Sequence, residues 1–197
     1  MTAPHRYFII HKPANMVSQF VSSHDVTLLG DLAFDFPEGT HAIGRLDNHS
    51  EGLLILTTNK KITKLLFQGK KPHGRTYLVL VKHTVTEDVL QQLRNGVPIQ
   101  VTGGGYYTTA QCSVEIELHP EQYISNAHEP VLHHPHTWLR ITLTEGKFHQ
   151  VRKMVKAVRH PCRRLIRISI ENLELNGLQS GEVREIDETD FFEKLAL

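Results

Sequence analysis

The chain has 197 residues, of which 40% are hydrophobic and 22% charged, and its formal net charge is +1 at pH 7. This composition is typical of a folded globular protein with a buried core and excludes extensive disorder. The N-terminus has no apolar segment typical of a secretion signal, and no run reaches the roughly 18 apolar residues of a membrane span, so we expect a cytoplasmic protein.

The hydrophobic pattern predicts short strands and short helices along the chain. Strands are expected at residues 6–11, 42–43, 53–58, 76–82, 109–117, 138–144, 164–170 and 182–186. Helices are expected at residues 27–36, from Asn59 to just before Gly69, at 86–95, at 148–158 and from residue 189 onward. In the second helix we expect Ile62, Leu65 and Leu66 to form the buried face. Because strands and helices do not alternate steadily, the sequence predicts an α+β fold with a mostly antiparallel sheet.

Basic residues are concentrated in two blocks. Residues 60–75 contain six Lys/Arg and no acid, and residues 145–167 contain eight Lys/Arg with Glu145 as the only acid, whereas eight acids follow from residue 171. This is expected if one face binds a polyanion, although two solvated helix faces explain it equally well. Cys112 and Cys162 have no C-x-x-C spacing, so we expect reduced, packed thiols rather than disulfides or a zinc site.

Residues 44–52, with the sequence GRLDNHSEG, form a loop between two predicted strands. Asp47 is the candidate catalytic carboxylate of this loop. A glycine at each end lets the backbone turn sharply or approach a ligand closely, and Arg45 offers a contact to phosphate or base. The alternative interpretation, which is more common for such loops, is a hairpin whose aspartate caps a turn.

Two further motifs contain residues that suit a nucleic-acid site. Tyr77, at the start of a buried strand, is placed to stack on a flipped-out base, although most tyrosines there belong to the core or its rim. In residues 145–154, EGKFHQVRKM, the helical spacing places Val151 and Met154 toward the core and Arg152 at the margin. A charge at that margin needs a partner, for which we expect Asp47. An ordinary amphipathic helix with a solvated basic face is the other interpretation.

These motifs resemble, in the same order, those of the pseudouridine synthases, in the RsuA branch that acts on ribosomal RNA. The branch shows a strand ending in Lys-Pro, a GRLD-x-x-S-E-G-L-L loop, a basic-x-Tyr strand start and an E-G-(R/K)-x-(H/R)-Q-V segment. This chain has them at residues 12–13, 44–54, 75–77 and 145–151. The resemblance spans nearly the whole chain and is closest to members that modify large-subunit RNA. Asn15 stands where glycine is frequent, which is tolerable because asparagine adopts positive φ more readily than most residues.

The resemblance implies a function and a set of site residues. Asp47 matches the catalytic aspartate, Tyr77 the base-stacking tyrosine, and Arg152 the basic residue that pairs with the aspartate. The implied RNA contacts are Arg45, Lys12, Arg75, Lys147, His149, Gln150 and Lys153, and the implied packing residues of the site are Leu46 and Leu165. The expected reaction converts a uridine of ribosomal RNA, most closely of the large subunit, into pseudouridine, without cofactor or metal.

The resemblance also implies the domain organisation. We expect one pseudouridine synthase catalytic domain over residues 5–190, made of two lobes that share a sheet and enclose a central cleft. Residues 1–4 would form an extension, with no S4 RNA-binding domain. Ribosomal RNA is the expected partner, and we expect a monomer that needs no protein partner and does not bind a membrane.

Other functions remain open from the residues alone. Asp47 and Glu51 are a possible carboxylate pair for glycoside hydrolysis, although four residues apart on a loop they need not converge. A catalytically silent RNA-binding or ribosome-assembly module is a second alternative. A metal site is a weaker one, formed by His128, His133, His134 and His136. Within the synthase hypothesis, attack of Asp47 on C1′ and removal of the C2′ proton both remain open.

Overall fold

The computed structural model of the protein describes residues 4–69, 71–124 and 134–197. Within these residues the chain forms eleven strands and four α-helices. The strands are β1 (Tyr7–Lys12), β2 (His41–Ile43), β3 (Glu51–Thr57), β4 (Arg75–Lys82), β5 (Pro98–Gln100), β6 (Tyr106–Thr108), β7 (Ser113–Ile116), β8 (His136–Leu143), β9 (Cys162–Ile170), β10 (Leu173–Glu174) and β11 (Val183–Ile186). The helices are α1 (Ile62–Gln68), α2 (Glu87–Asn95), α3 (Gln150–Ala157) and α4 (Glu188–Leu195). None of these helices is long and apolar enough to cross a membrane.

The chain forms two compact units. The first comprises the described residues of Met1–His73 together with Arg167–Leu197, and the second those of Gly74–Ile166. The chain leaves the first unit after His73 and returns to it within β9.

The first unit is built on a sheet with the strand order β11-β1-β3-β9, in which β2 pairs with β3 and β10 with β9. The pairs β1–β11, β1–β3, β2–β3 and β10–β9 are antiparallel. β1 and β3 are buried along their whole lengths, which agrees with the continuous apolar runs at residues 7–10 and 53–56. Tyr7 of β1 packs on Phe191 of α4 with ring centroids 4.4 Å apart, so the C-terminal helix covers this sheet.

The second unit contains residues 162–166 of β9 and, in strand order beyond them, β4, β8 and β7. β8 pairs antiparallel with both β4 and β7, and β5 and β6 form a separate hairpin. Leu78–Val81 of β4 are fully buried, which confirms the prediction of a central strand. Apolar residues of α2 and α3 pack in one cluster with β4 and β8, and they include Leu90, Leu93, Val151, Met154 and Val155.

The structure confirms the mostly antiparallel α+β fold and corrects some of its predicted elements. The helix expected at residues 27–36 is only a 3₁₀ turn at Leu29–Asp31. Its sequence makes other contacts, because the Asp31 carboxylate accepts from the Leu28 amide and Phe34 packs edge-on against Phe8. Leu65 is 42% exposed rather than buried.

Short strands account for the remaining differences. The strand expected at residues 109–117 is confined to Ser113–Ile116, and the β5–β6 hairpin and β10 were not predicted. Runs of two or three residues are too short to show an alternating hydrophobic pattern.

Candidate active site

Asp47 lies, partly exposed, on the loop that connects β2 to β3 in the first unit. The loop begins at Gly44, whose φ of +73° lies in the left-handed region that glycine adopts without strain. Phe67 of α1 packs directly on this residue, because a Cβ placed there would lie 2.9 Å from the Phe67 Cζ. The Asp47 carbonyl accepts a hydrogen bond from the Ser50 amide at 2.9 Å, which closes a turn beneath the carboxylate.

The segment that follows β1 holds this loop from both sides of Asp47. Ser18 Oγ donates to the Leu46 carbonyl and accepts from the Leu46 amide, both at 3.0 Å, and both side chains are buried. On the other side, the Asn15 amide donates to the Asn48 carbonyl at 2.8 Å. The Ser18 hydroxyl and the Asn15 amide therefore fix the backbone of the residues immediately before and after the catalytic candidate.

Asn15 adds a contact that glycine lacks. Its φ is +62°, which confirms the expectation that it adopts the left-handed conformation here. Its side-chain Oδ1 lies 2.8 Å from Nδ1 of His49 on the Asp47 loop. The substitution of the frequent glycine therefore keeps the turn and adds a hydrogen bond to the loop.

Lys12 has a different position from that of the predicted RNA contact. Its side chain is fully buried, and Nζ donates to the carbonyls of Met16 at 2.6 Å, Pro13 at 2.7 Å and Asn48 at 3.3 Å. Burial lowers the pKa of Lys12 to about 8, although attraction to the carboxylates of Glu51 and Asp47 opposes this change. The prediction that Lys12 contacts RNA is therefore wrong, because its ammonium is enclosed by backbone carbonyls under the Asp47 loop.

The start of β3 is set by a close backbone contact within the first unit. Gly52 has a φ of +104°, and a Cβ at this position would lie 2.2 Å from the Arg167 carbonyl oxygen. Arg167 is buried and donates from Nε to the Leu53 carbonyl at 2.8 Å. The Asp47 loop therefore joins a strand whose own position depends on a glycine.

In the second unit, Tyr77 is a half-buried residue of β4. Its backbone is paired with Ile141 of β8, and its ring packs on the apolar cluster that also contains Leu165 and Met154. This arrangement leaves part of the ring accessible while the cluster restricts its rotation. A tyrosine held in this way is suited to stacking on a base.

Arg152 lies on α3 in the same unit and is also half-buried. Its Nη1 lies 3.7 Å from Sγ of Cys162, a free thiol whose pKa is raised to about 11 by burial in spite of the nearby guanidinium. The expected partnership between Arg152 and Asp47 stays a prediction.

A hydrogen-bond network around Glu145 builds the entry to α3. The Glu145 carboxylate accepts from the Tyr107 hydroxyl, from the Ala110 amide at 2.9 Å and from Nε2 of Gln150 at 2.6 Å. Burial raises the pKa of Glu145, but these hydrogen bonds outweigh that effect and leave the pKa below its ordinary value. Sequence reasoning missed this role, since a glutamate before a glycine carries no sign that a distant hairpin will donate to it.

Gln150 belongs to this network and not to an RNA-binding surface. Its side chain is buried, and Oε1 accepts from the Lys147 amide at 2.8 Å while Nε2 donates to Glu145. The prediction that Gln150 contacts RNA is therefore wrong, because the side chain is buried and both of its polar atoms bond within this network.

The other predicted RNA contacts lie at accessible positions. Arg45 and Lys147 are exposed, and Arg75, His149 and Lys153 are partly exposed, so their contacts to RNA stay predictions. Leu46 and Leu165 are buried, as packing residues would be. Of the histidines considered for a metal site, His128 and His133 lie outside the described residues. Among those that the structure describes, no cluster of His, Cys, Asp or Glu is placed to hold a metal ion.

Comparison with known proteins identifies the family. Residues 6–157 match the model of the RNA pseudouridylate synthases. The chain belongs to this family. The matched region includes the Asp47 loop, Tyr77 and Arg152, so all three candidates for the chemistry lie within the pseudouridylate synthase homology.

Several relatives have names that state a substrate. The chain is 37% identical to ribosomal large subunit pseudouridine synthase E of Vibrio vulnificus over 93% of this chain and 76% of the relative. It is 32% identical to the protein of the same name from Xanthomonas axonopodis pv. citri, over 86% of this chain and 88% of that relative.

Solved structures agree with this family membership. A crystal structure described as pseudouridylate synthase superposes with a TM-score of 0.74 at 25% identity, covering 98% of this chain and 75% of that one. Human RNA pseudouridylate synthase domain containing 1 shares the fold at 14% identity, with a TM-score of 0.52 over 98% of this chain and 84% of that one.

Proposed function

We propose that this RNA pseudouridylate synthase converts a uridine of large-subunit ribosomal RNA into pseudouridine, acting as a monomer in the cytoplasm. The observation that carries the proposal is the family match over residues 6–157. The relatives named as ribosomal large subunit pseudouridine synthase E support the choice of RNA, because they match this chain over most of their own length.

The reaction is an isomerisation and balances without an external reagent. The C1′–N1 bond of the target uridine breaks, the uracil turns, and a C1′–C5 bond forms. C5 loses its proton and N1 gains one, so no net oxidation or group transfer occurs. The chain must therefore supply a carboxylate to start the reaction, a base for the C5 proton and a site that holds the detached uracil.

Asp47 is the proposed catalytic residue. Attack on C1′ and removal of the C2′ proton both require a carboxylate whose position is fixed. The hydrogen bonds to Leu46 and Asn48 provide such positioning, because they hold the backbone on both sides of Asp47. We propose that Arg152 keeps the carboxylate ionised during the reaction, since a nearby cation favours the charged form.

Tyr77 is the proposed platform for the target uracil. The target base must leave the RNA stack to be reached, which costs a few kcal/mol, and stacking on an aromatic ring recovers part of this cost. Tyr77 is half-buried on an apolar cluster that includes Leu165, so its ring is held while one part stays accessible. Arg45, Arg75 and Lys147 are the proposed contacts to the RNA backbone.

Release of tritium from large-subunit RNA that carries uridine tritiated at C5 tests the proposal, because the isomerisation expels the C5 hydrogen. Asp47→Asn is expected to lower the rate by about 100- to 10,000-fold or more, the range for loss of a catalytic acid or base. Asp35→Asn removes an exposed carboxylate of the same unit and is expected to keep the wild-type rate. Equal rates for the two variants would contradict the assignment of Asp47.

The proposed role of Arg152 has its own control on the same helix. Arg152→Gln is expected to slow tritium release at saturating RNA, because the reacting carboxylate loses its cationic partner. Lys156→Gln removes an exposed positive charge of α3 and is expected to keep the wild-type rate. Equal rates for the two variants would exclude the pairing.

A further inference from the structure

An exposed aromatic side chain stands at the entry to α3 in the second unit. Phe148 is 64% exposed, although most rings of its size in globular proteins are largely buried. Its ring is stacked on the ring of His149, with centroids 3.9 Å apart and an interplanar angle of 19°. Nζ of Lys153, one turn into the helix, lies 5.3 Å from the Phe148 centroid.

This stack contributes little to the core. His149 covers one face of the ring, the flexible Lys153 side chain reaches over it, and 64% of Phe148 remains exposed, so the ring stays accessible to a ligand. The hydrogen bonds that build the entry to α3 come from Glu145 and Gln150 instead. The Phe148 ring is thus preorganised by its neighbours while its own apolar surface still faces water.

The charge around the ring selects the kind of ligand. α3 carries Arg152, Lys153 and Lys156 and no acid, and Lys147 is exposed next to Phe148 in the sequence. An accessible aromatic ring with a lysine ammonium 5.3 Å from its centroid, at the start of a helix whose charged residues are all basic, fits single-stranded nucleic acid, in which each base presents a π face and each linkage a phosphate. An apolar protein surface would match the ring but not the cations.

We propose that Phe148 stacks on an unpaired base of the RNA substrate other than the target uridine. His149 supports the ring from its opposite face, and Lys153 binds the phosphate beside the stacked base. This inference rests on the proposed function, because it names how the same RNA is held outside the reacting nucleotide. It adds Phe148 to the binding residues and gives His149 a supporting role.

Substitutions at Phe148 distinguish stacking by an aromatic ring from contact by an apolar side chain of similar size. In filter binding to a large-subunit RNA transcript, Phe148→Leu is expected to weaken affinity by about 5- to 100-fold, the cost of losing one base stack. Phe148→Trp is expected to bind as tightly as the wild type or more so. Leu118→Ala removes a 76%-exposed apolar side chain of the same unit, beside Glu117, and is expected to have no effect. Equal affinities of the wild type and Phe148→Leu would overturn the proposal.

The contribution of Lys153 is measured through salt dependence. Lys153→Gln is expected to reduce the slope of log affinity against log salt concentration by about 0.7 to 0.9, the value for one phosphate contact. An unchanged slope would remove Lys153 from the site.

An abasic RNA series identifies the stacked base. Short transcripts are prepared in which each unpaired base in turn is replaced by an abasic nucleotide, and each is bound to the wild type and to Phe148→Leu. One replacement is expected to weaken wild-type binding by the same factor as the Phe148→Leu change and to have no further effect on that variant. Additive losses at every position would overturn the stacking assignment.

Two further readouts separate the possible failures. Tritium release by the wild type tests the proposed function independently, because affinity is measured without turnover. Release that is normal in the wild type, together with unchanged RNA affinity in Phe148→Leu, would reject this inference alone. Sedimentation tests whether the ring instead contacts a second copy of this chain. If the wild type self-associates and Phe148→Leu does not, while both bind RNA with equal affinity, the ring is a contact between chains and the proposal is wrong.

Discussion

Replacement of Gly52 by alanine tests whether the Asp47 loop depends on the close backbone approach at the start of β3. The new Cβ would lie 2.2 Å from the Arg167 carbonyl oxygen, 2.7 Å from its nitrogen and 2.9 Å from its carbonyl carbon. All three are backbone atoms, so no side-chain rotation relieves the overlap, and the strand itself must shift. The φ of +104° adds a second cost, because L-residues rarely adopt that conformation.

The two costs give the expected magnitude. A positive φ destabilises a non-glycine residue by about 1–2 kcal/mol, and inserting a carbon into close-packed structure costs about 1–3 kcal/mol. We therefore expect Gly52→Ala to lower the free energy of unfolding by about 2–5 kcal/mol, a large fraction of the roughly 5–15 kcal/mol of a typical domain.

Urea unfolding followed by circular dichroism measures this difference. The control is Gly39→Ala in the same unit, where φ is +82° and no atom lies within 4 Å of the new Cβ, so that only the conformational cost applies. Gly52→Ala is expected to lose at least about 1 kcal/mol more than the control. If the two variants have equal stability, the contact with Arg167 does not constrain β3 and the argument is refuted.

Three further predictions concern the loop and the entry to α3. Ser18→Ala removes two hydrogen bonds to the buried Leu46 backbone, so it is expected to lower the free energy of unfolding by about 1–3 kcal/mol and to lower kcat in the tritium assay. Ser22→Ala at an exposed site is expected to change neither quantity. Equal stability and kcat in the two variants would contradict the role of Ser18. Burial lowers the pKa of Lys12 from 10.5 to about 8, so between these pH values the unfolded chain binds a proton that the folded chain does not. The free energy of unfolding of the wild type, relative to that of Lys12→Met, is therefore expected to rise with pH across that window. A difference that does not change with pH would contradict the burial of Lys12. The pKa of Glu145 is lowered from 4.5 in the folded protein, so its contribution to stability is present above pH 4.5 and is lost as the pH falls through the pKa of the folded state. The stability advantage of the wild type over Glu145→Gln is therefore expected to shrink in acid. An advantage that does not depend on pH would exclude the hydrogen-bond network as its source.

The sequence predicts the Asp47 loop well because its signals are local. Glycines at positions 44 and 52 bracket the acid between two apolar runs, and the structure places a strand on each side of it. The positive φ of Asn15 is likewise confirmed, since backbone preference is a property of the residue itself.

Side-chain direction is what the sequence does not specify. The family resemblance implies RNA contacts for Lys12 and Gln150. In the structure, however, Lys12 donates to the carbonyls of Pro13, Met16 and the distant Asn48, and Gln150 donates to Glu145. Only the folded chain brings these acceptors to the side chains. The exposure of Phe148 is not predictable from the sequence for a related reason, because a phenylalanine in an amphipathic stretch is ordinarily a core residue.

Pseudouridine mapping of ribosomal RNA tests the central claim most directly. RNA is compared from cells that lack the gene and from the same cells complemented with the wild-type chain or with Asp47→Asn. We expect one large-subunit pseudouridine to disappear without the gene, to return with the wild type and to remain absent with Asp47→Asn. A pseudouridine profile that is the same in all three strains would contradict the assignment of ribosomal RNA as the substrate.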